Sequence, residues 1–490
     1  MVRARWRRAV LLALVAAWVA MIWRHTHKPL PVGTHVASAM CPVPAEAVAF
    51  IADITAADAW GHSAVSQGIF DAVLAVVRGA RRFIVLDYTA FGAGAAGPAP
   101  ARRIAGELTD ALLSRRRAQP DLPILFITDP VNEAYGATHA SELQLLRAAG
   151  IEVVTVDLDR LRDSNFLYSS LWRLGLRWWD SPQGLLGTAA RRLNFKASDR
   201  RLIIADDGHG GLTAVIGSAS PQDRQSGWSN LAARVSGGPL QSLLASELAV
   251  ARFSGWRASA ASFSLPAAPA AASADCAAAP GGAQPEPAAE AGARAQLLTE
   301  GAIRAELLGQ LDAAAPPDSI DVAVLHLADR DVIESLLAAA RRGVNVRLIL
   351  DPNETASSGG TEGLPNQAVA SELVSRSGGA IHVRWYRTHG ERFHGALVMV
   401  HGGARTWLTL GSAQLTRRSL DDYNLAANVA IELAAGAPLA QQALQYFDTL
   451  WANRAALGIE YTADFAAFAN PAQSDYWLYR LLEGSGFAPF

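Results

Sequence analysis

From Ser66 onward, apolar residues recur at helical spacing (Ile69, Val73, Val76, Val77) and run into the β-branched and aromatic stretch RFIVLDYTAF, which ends at Phe91. The GAGAAGPAP that follows reads as a loop. A second helical stretch, Ile104 to Arg117, precedes the strand LPILFITDP, and a third around Leu143 to Ala149 precedes IEVVTVDLD. Strands alternating with helices at this spacing predict an α/β sheet.

The second half repeats the order. Helical patterns at Ala302 to Leu311, Val332 to Arg342 and Val369 to Ser375 lead to the strands SIDVAVLHLADR, VNVRLILDPN and IHVRWYRTHG. FITDP matches LILDP, and Gly217 to Ala219 matches Gly411 to Ala413, so the chain carries an internal duplication too long for a solenoid. Between the halves, Arg257 to Ala293 is rich in alanine, proline and glycine. Alanine buries too little surface to offset the entropy of ordering, which predicts a flexible linker. The expected organisation is an anchor and tether over 1–45, a first domain over 46–256, the linker over 257–296 and a second domain over 297–490. Near the C-terminus, QQALQYFDTLW reads as a helix, and Tyr476, Trp477 and Tyr479 as core packing.

At the N-terminus four arginines precede an apolar run from Ala9 to Trp23, the layout of a signal peptide or a retained signal anchor. The small-x-small site Ala37-Ser38-Ala39 lies well beyond the run. The expectation is therefore a retained inner-membrane anchor with the globular part in the periplasm or otherwise outside the cytoplasm. The net charge of −2 gives no long-range pull toward nucleic acid, so phosphate recognition has to be local. Two cysteines, Cys41 and Cys276, exclude a thiol-built metal cluster; a disulfide and two incidental thiols both fit their positions.

One stretch carries candidate chemistry twice. Downstream, His394 opens a strand pattern that leads to Gly411, Ser412 and Gln414; upstream, Asp199 and Arg201 lead through Asp206 to Gly217, Ser218 and Ser220. The arrangement resembles the duplicated motif of the phospholipase D superfamily: His-x-Lys, four residues, Asp, then Gly-Ser-x-Asn and a downstream Asn-x-Glu. Relative to it, Ala396 stands at the lysine, His401 at the aspartate, Gln414 at the asparagine and Ala426 at the glutamate. In the upstream copy Asp199 stands at the histidine, Arg201 at the lysine and Ser220 at the asparagine, while Asp206 matches. The resemblance implies two similar lobes, each a β-sheet flanked by helices, related by a pseudo-twofold axis and sharing one site.

Family chemistry uses one imidazole as nucleophile, a second as acid, and lysine, serine and asparagine groups around the phosphate, with no metal or cofactor. Carried over, His394, Asp199, Arg201 and Asp206 form the catalytic set, and Ser218, Ser220, Ser412 and Gln414 the phosphate-binding set. The chain holds two lysines among 43 basic residues, so Arg201 at a lysine position keeps the positive charge by compositional drift. Ala396 instead deletes a charge, and Asp199, with a reference pKa near 3.9, is a poor acid at neutral pH unless burial raises it. Two functions follow. One is a catalytically impaired relative that keeps a phosphate-sized inter-lobe cleft. The other is an active phospholipase D or phosphatidyltransferase acting on phospholipid phosphodiesters through His394. A nuclease is disfavoured by export and by the charge balance.

Overall fold

A computed structural model describes residues 2–57, 63–94, 101–136, 140–175, 185–265, 276, 293–354, 361–453 and 459–488. The chain opens with helix α1 (Val2–Thr26), which by length and composition is able to cross a membrane, and a short strand β1 (Cys41–Val43). The first lobe then supplies β2 (Val48–Ala57), β3 (Ser63–Ser66), β4 (Ile84–Tyr88), β5 (Ile124–Thr128), β6 (Glu152–Thr155), β7 (Arg201–Asp206), β8 (Leu212–Gly217) and β9 (Asn230–Ser236). The second supplies β10 (Ala293–Thr299), β11 (Ser319–Val324), β12 (Asn345–Leu350), β13 (Ile381–Tyr386), β14 (Ala396–His401), β15 (Arg405–Gly411), β16 (Ala427–Ala434) and β17 (Thr462–Asp464).

Among the described residues the sheets run β3-β2-β9-β8-β7-β4-β5-β6 and β1-β10-β16-β15-β14-β11-β12-β13-β17. With the edge strands β3, β1 and β17 set aside, the two orders are the same. In each, three strands pair in parallel (β4, β5, β6; β11, β12, β13), and the rest are antiparallel. β4 and β5 are buried at every position and β11 at all but its first, because both faces of these central strands are covered. Helices α2 (Ile69–Gly79), α3 (Ile104–Ala118) and α4 (Ser141–Ala148) enclose one outer core. Between α4 and β9 come α5 (Phe166–Leu174) and α6 (Leu185–Arg192), and α7 (Leu240–Phe253) follows β9. The second lobe carries α8 (Gly301–Ala313), α9 (Arg330–Arg341) and α10 (Asn366–Arg376) over its own outer core, then α11 (Arg417–Leu420), α12 (Pro438–Trp451) and α13 (Gln473–Ser485). The inner faces share a third core, in which Ile204 and Leu231 meet Leu397, Leu408 and Val429, with Leu244 of α7 and Phe447 of α12. The two motif copies therefore face each other across one apolar layer.

Several segments differ from the sequence expectation. The expected tether is pinned in part: β1 pairs with β10, so a strand that precedes the first lobe completes the sheet of the second. Cys41 and Cys276 form a disulfide. The expected linker is occupied at both ends, because Phe263 is buried against Phe83 and Trp256 and Ala293 already belongs to β10; residues 266–275 and 277–292 lie outside the described residues. One bulky ring suffices to anchor what alanine cannot. At the C-terminus Tyr479 is fully buried as expected, but Trp477 is 63% exposed, a correction to its reading as core.

Candidate active site between the lobes

Strand registers fix which residues correspond. Tyr88 pairs with Arg201 and Val324 with Ala396, which makes Arg201 equivalent to Ala396 and Asp199 to His394. Each of these two site residues is locked by the opposite lobe. The His394 N–H donates to Ser229 O at 2.8 Å, and the Asp199 N–H donates to Leu425 O at 2.8 Å. Behind them lie the aspartates of the two Asp-Pro pairs. Asp129 Oδ2 accepts from Ser198 N at 2.8 Å, and Asp351 Oδ2 accepts from Phe393 N at 2.8 Å. Burial raises Asp129 to about 7 and Asp351 to about 6, against the pull of those backbone donors.

The Arg201 guanidinium joins the two half-sites. Its Nη2 donates to Asp199 Oδ1 at 2.6 Å, and its Nη1 donates to Ser218 O at 2.8 Å and to His394 Nε2 at 3.2 Å. Thr89 Oγ1 adds a second donor to Asp199 Oδ1 at 2.9 Å. Burial, followed by Arg201 and Arg392, pushes the His394 pKa well below the usual imidazole value. A neutral ring that accepts at Nε2 carries its proton on Nδ1, and Nδ1 donates to Asn230 Oδ1 at 3.0 Å. Ser218 Oγ donates to the same Asn230 oxygen at 3.0 Å and accepts from Leu231 N, so the tautomer of His394 is held by a strand end.

Of the predicted residues, the structure brings together His394, Asp199, Arg201 and Ser218. Ser220 is buried two residues beyond Ser218; its Oγ and Arg201 Nε have no hydrogen-bond partner among the described residues. Ser412 is the counterpart of Ser218 and accepts from Ala427 N at 3.1 Å. Gln414 Oε1 accepts from Leu325 N and His326 N at 3.1 and 3.2 Å, which fixes the loop after β11. Asp206 is elsewhere. It ends β7, five residues and roughly 17 Å from Arg201, where its carboxylate accepts from the N–H groups of Arg81, Arg82 and Phe83. The matching residues of the second lobe are Pro317, Asp318 and Ser319, and a proline has no N–H to offer. His401 there meets Asp321 instead, at 2.8 Å.

Sequence reasoning missed Asn230. The tetrapeptide Asn-Leu-Ala-Ala occurs at 230–233 and again at 424–427, which invites pairing Asn230 with Asn424. The register is two residues different: Gly217 pairs with Ala232 and Gly411 with Asn428, so Asn230 matches Ala426, the glutamate position of the motif. Also missed were Trp228, whose ring lies 5.1 Å from that of His394, and Arg392, 5.3 Å from the Trp228 ring. His326 completes the group, pushed down to about 3 by burial and by the Arg392 and Arg418 guanidinium groups. Arg201, Arg392 and Arg418 thus gather around the two imidazoles, with Asp199 paired to Arg201.

This is a two-lobed α/β protein in which side chains of the two motif copies meet between the lobes. Residues 307–451 match the family described as "Cardiolipin synthase, PLD-like domain". The phosphatidylserine synthase of Haemophilus influenzae Rd KW20 superposes with a TM-score of 0.57 at 9% identity, over 90% of this chain and 94% of that one. The second lobe thus matches a phospholipase D-like family in sequence, and the two lobes together share the fold of the phosphatidylserine synthase. Looser likenesses are to the phospholipase D family member Nuc of Salmonella typhimurium (TM-score 0.26, 19% identity, 35% of this chain and 97% of that one) and to the polyphosphate kinase of Porphyromonas gingivalis (0.40, 12%, 90% and 53%). No curated protein matches in sequence.

Proposed function

We propose that the chain is a catalytically impaired phospholipase D-like protein whose inter-lobe site binds the phosphodiester of a phospholipid, such as phosphatidylglycerol or cardiolipin, without efficient turnover. α1 anchors it, with the lobes outside the cytoplasm; the arginines before the apolar run and the Cys41–Cys276 disulfide support that orientation. The observation that carries the functional proposal is Arg201, which donates to His394 Nε2, the nitrogen that an attack on phosphorus would use, while it is paired with Asp199. Asp199 Oδ1 accepts from two donors, in the place where the chemistry needs a group that gives a proton up. Loss of a general acid alone costs about 10²–10⁴-fold, and Ala396 removes a cation as well. Arg201 Nε and Ser220 Oγ, buried without hydrogen-bond partners among the described residues, are donors that phosphate oxygens would satisfy.

A second reading, an active enzyme, is favoured by one observation: His394 is neutral with its proton on Nδ1, the state in which Nε2 attacks.

Rebuilding the site tests the proposal. Asp199→His, Ala396→Lys, Ser220→Asn, Gln414→Asn, Asn230→Glu and Ala426→Glu rebuild both half-motifs, with Arg201 kept as the cation; His401 is left alone, since an aspartate there would face the Asp321 carboxylate. The combined variant is expected to gain phosphodiesterase activity on a fluorogenic diester that a further His394→Ala removes. A folded but silent variant would overturn the phosphate-binding cleft itself.

A further inference from the structure

α1 does not leave the protein freely. Its partly covered positions Trp18, Met21, Ile22 and His25 form one stripe, and α5 packs along it. The Trp18 indole donates to Leu167 O at 3.3 Å, and the His25 carbonyl accepts from Asp163 N at 3.1 Å. From Trp18 to His25 is about 10 Å along a helix, and Trp18 belongs to the apolar run. α5 is therefore held beside that part of α1, with Leu171 and Leu174 51% and 40% exposed.

The same junction receives the end of α13. A side chain at Gly486 would collide with the Ser164 carbonyl, and Arg417 donates through its Nη1 to Glu483 O while lying over the Phe166 ring. α13 exposes Trp477 and Leu481, at 63% and 66%, one helical turn apart. The segment before the site meets the junction too: Ser164 Oγ donates to Asn194 O and Phe195 O, and Asn165 Nδ2 to Leu193 O. Arg418, which bears on His326, lies over Phe195. One connected stretch thus runs from the end of α1 through 163–165 to the rim of the cleft.

We infer that α5 and the exposed apolar face of α13 rest in the bilayer that α1 enters, so that the inter-lobe site opens at the membrane surface and takes its phosphodiester from a lipid in place. Contiguity with α1, which is long and apolar enough to cross a membrane, selects a bilayer as the occupant over a second copy of the chain. A tryptophan at the outer edge of such a face suits the interface between headgroup and hydrocarbon. The inference rests on the anchored reading of α1.

The test uses the full chain in phosphatidylglycerol–phosphatidylcholine vesicles, with the native disulfide oxidised and one added cysteine carrying an environment-sensitive dye. Sites are Leu171→Cys, Leu481→Cys, Leu14→Cys on α1, and Leu145→Cys on α4 as an exposed control. Dyes at 171 and 481 are expected to shift to the blue and to be quenched several-fold more strongly by spin-labelled lipid than the dye at 145. Water-like dyes at 171 and 481 beside a lipid-like dye at 14 would overturn the inference and leave the anchor standing. A water-like dye at 14 as well would overturn both. A blue shift that follows protein concentration, without lipid quenching, would mean self-association and would equally overturn it.

Discussion

His394 and Asp199 occupy equivalent places, yet only one finds the partner its position calls for. His394 meets Asn230 from the opposite lobe; Asp199 faces Ala426, which offers no side-chain donor, and turns to Arg201 and Thr89. Both are held by a buried aspartate whose titration is a stability statement. With Asp129 raised to about 7 and Asp351 to about 6, the folded chain keeps protons that an unfolded chain releases near pH 4. Glu483, raised to about 7 by burial, acts in the same sense. The contribution of these three carboxyls to stability is fully present near pH 4 and is lost as pH rises through about 6 to 7, the Asp129 share being on the order of 4 kcal/mol. His326 and His394, held neutral by burial, contribute in the opposite sense below about pH 6.5, so the Asp129 share is read as a difference: the urea midpoint of Asp129→Asn is expected to rise relative to the wild type between about pH 5 and about pH 8.5. A midpoint difference between variant and wild type that stays constant over that interval would contradict the assignment.

Among the elements, β7 and β14 show how one motif position serves different ends. Asp206 collects three successive N–H groups at the start of β4, so Asp206→Ala should cost about 2–4 kcal/mol, read as a lower urea midpoint, with ligand binding unchanged. Lost binding at intact stability would instead return Asp206 to the active site. The helices and parallel strands of both halves were legible because burial on both faces writes long β-branched runs between amphipathic helices. β9 and β10 were not: Asn-Leu-Ala-Ala-Arg-Val-Ser and Ala-Arg-Ala-Gln-Leu-Leu-Thr rely on alanines that fill the narrow space between the lobes. His394, Asp199 and Arg201 were legible by order alone. Asn230 was hidden by the repeated tetrapeptide, and Arg392, Trp228 and His326 by being brought in from positions the motif does not include.

At the scale of the molecule, the lobes are tied directly behind the site. Arg200, fully buried, donates to Glu247 Oε1 at 2.7 Å, to Glu300 Oε1 at 2.8 Å and to Thr34 O at 2.9 Å, joining the first lobe, the second lobe and the N-terminal segment. Glu300 also accepts from the Ala426 N–H, so the knot reaches the strand end that faces Asp199. Under the proposed function this locked frame holds a phosphodiester without turning it over. Phosphorus-31 NMR of the full chain with a short-chain phosphatidylglycerol reads binding and turnover together. Broadening of the lipid resonance that Arg201→Ala removes is expected, with no product resonance on prolonged incubation. A product resonance that His394→Ala abolishes would contradict this and establish the active enzyme.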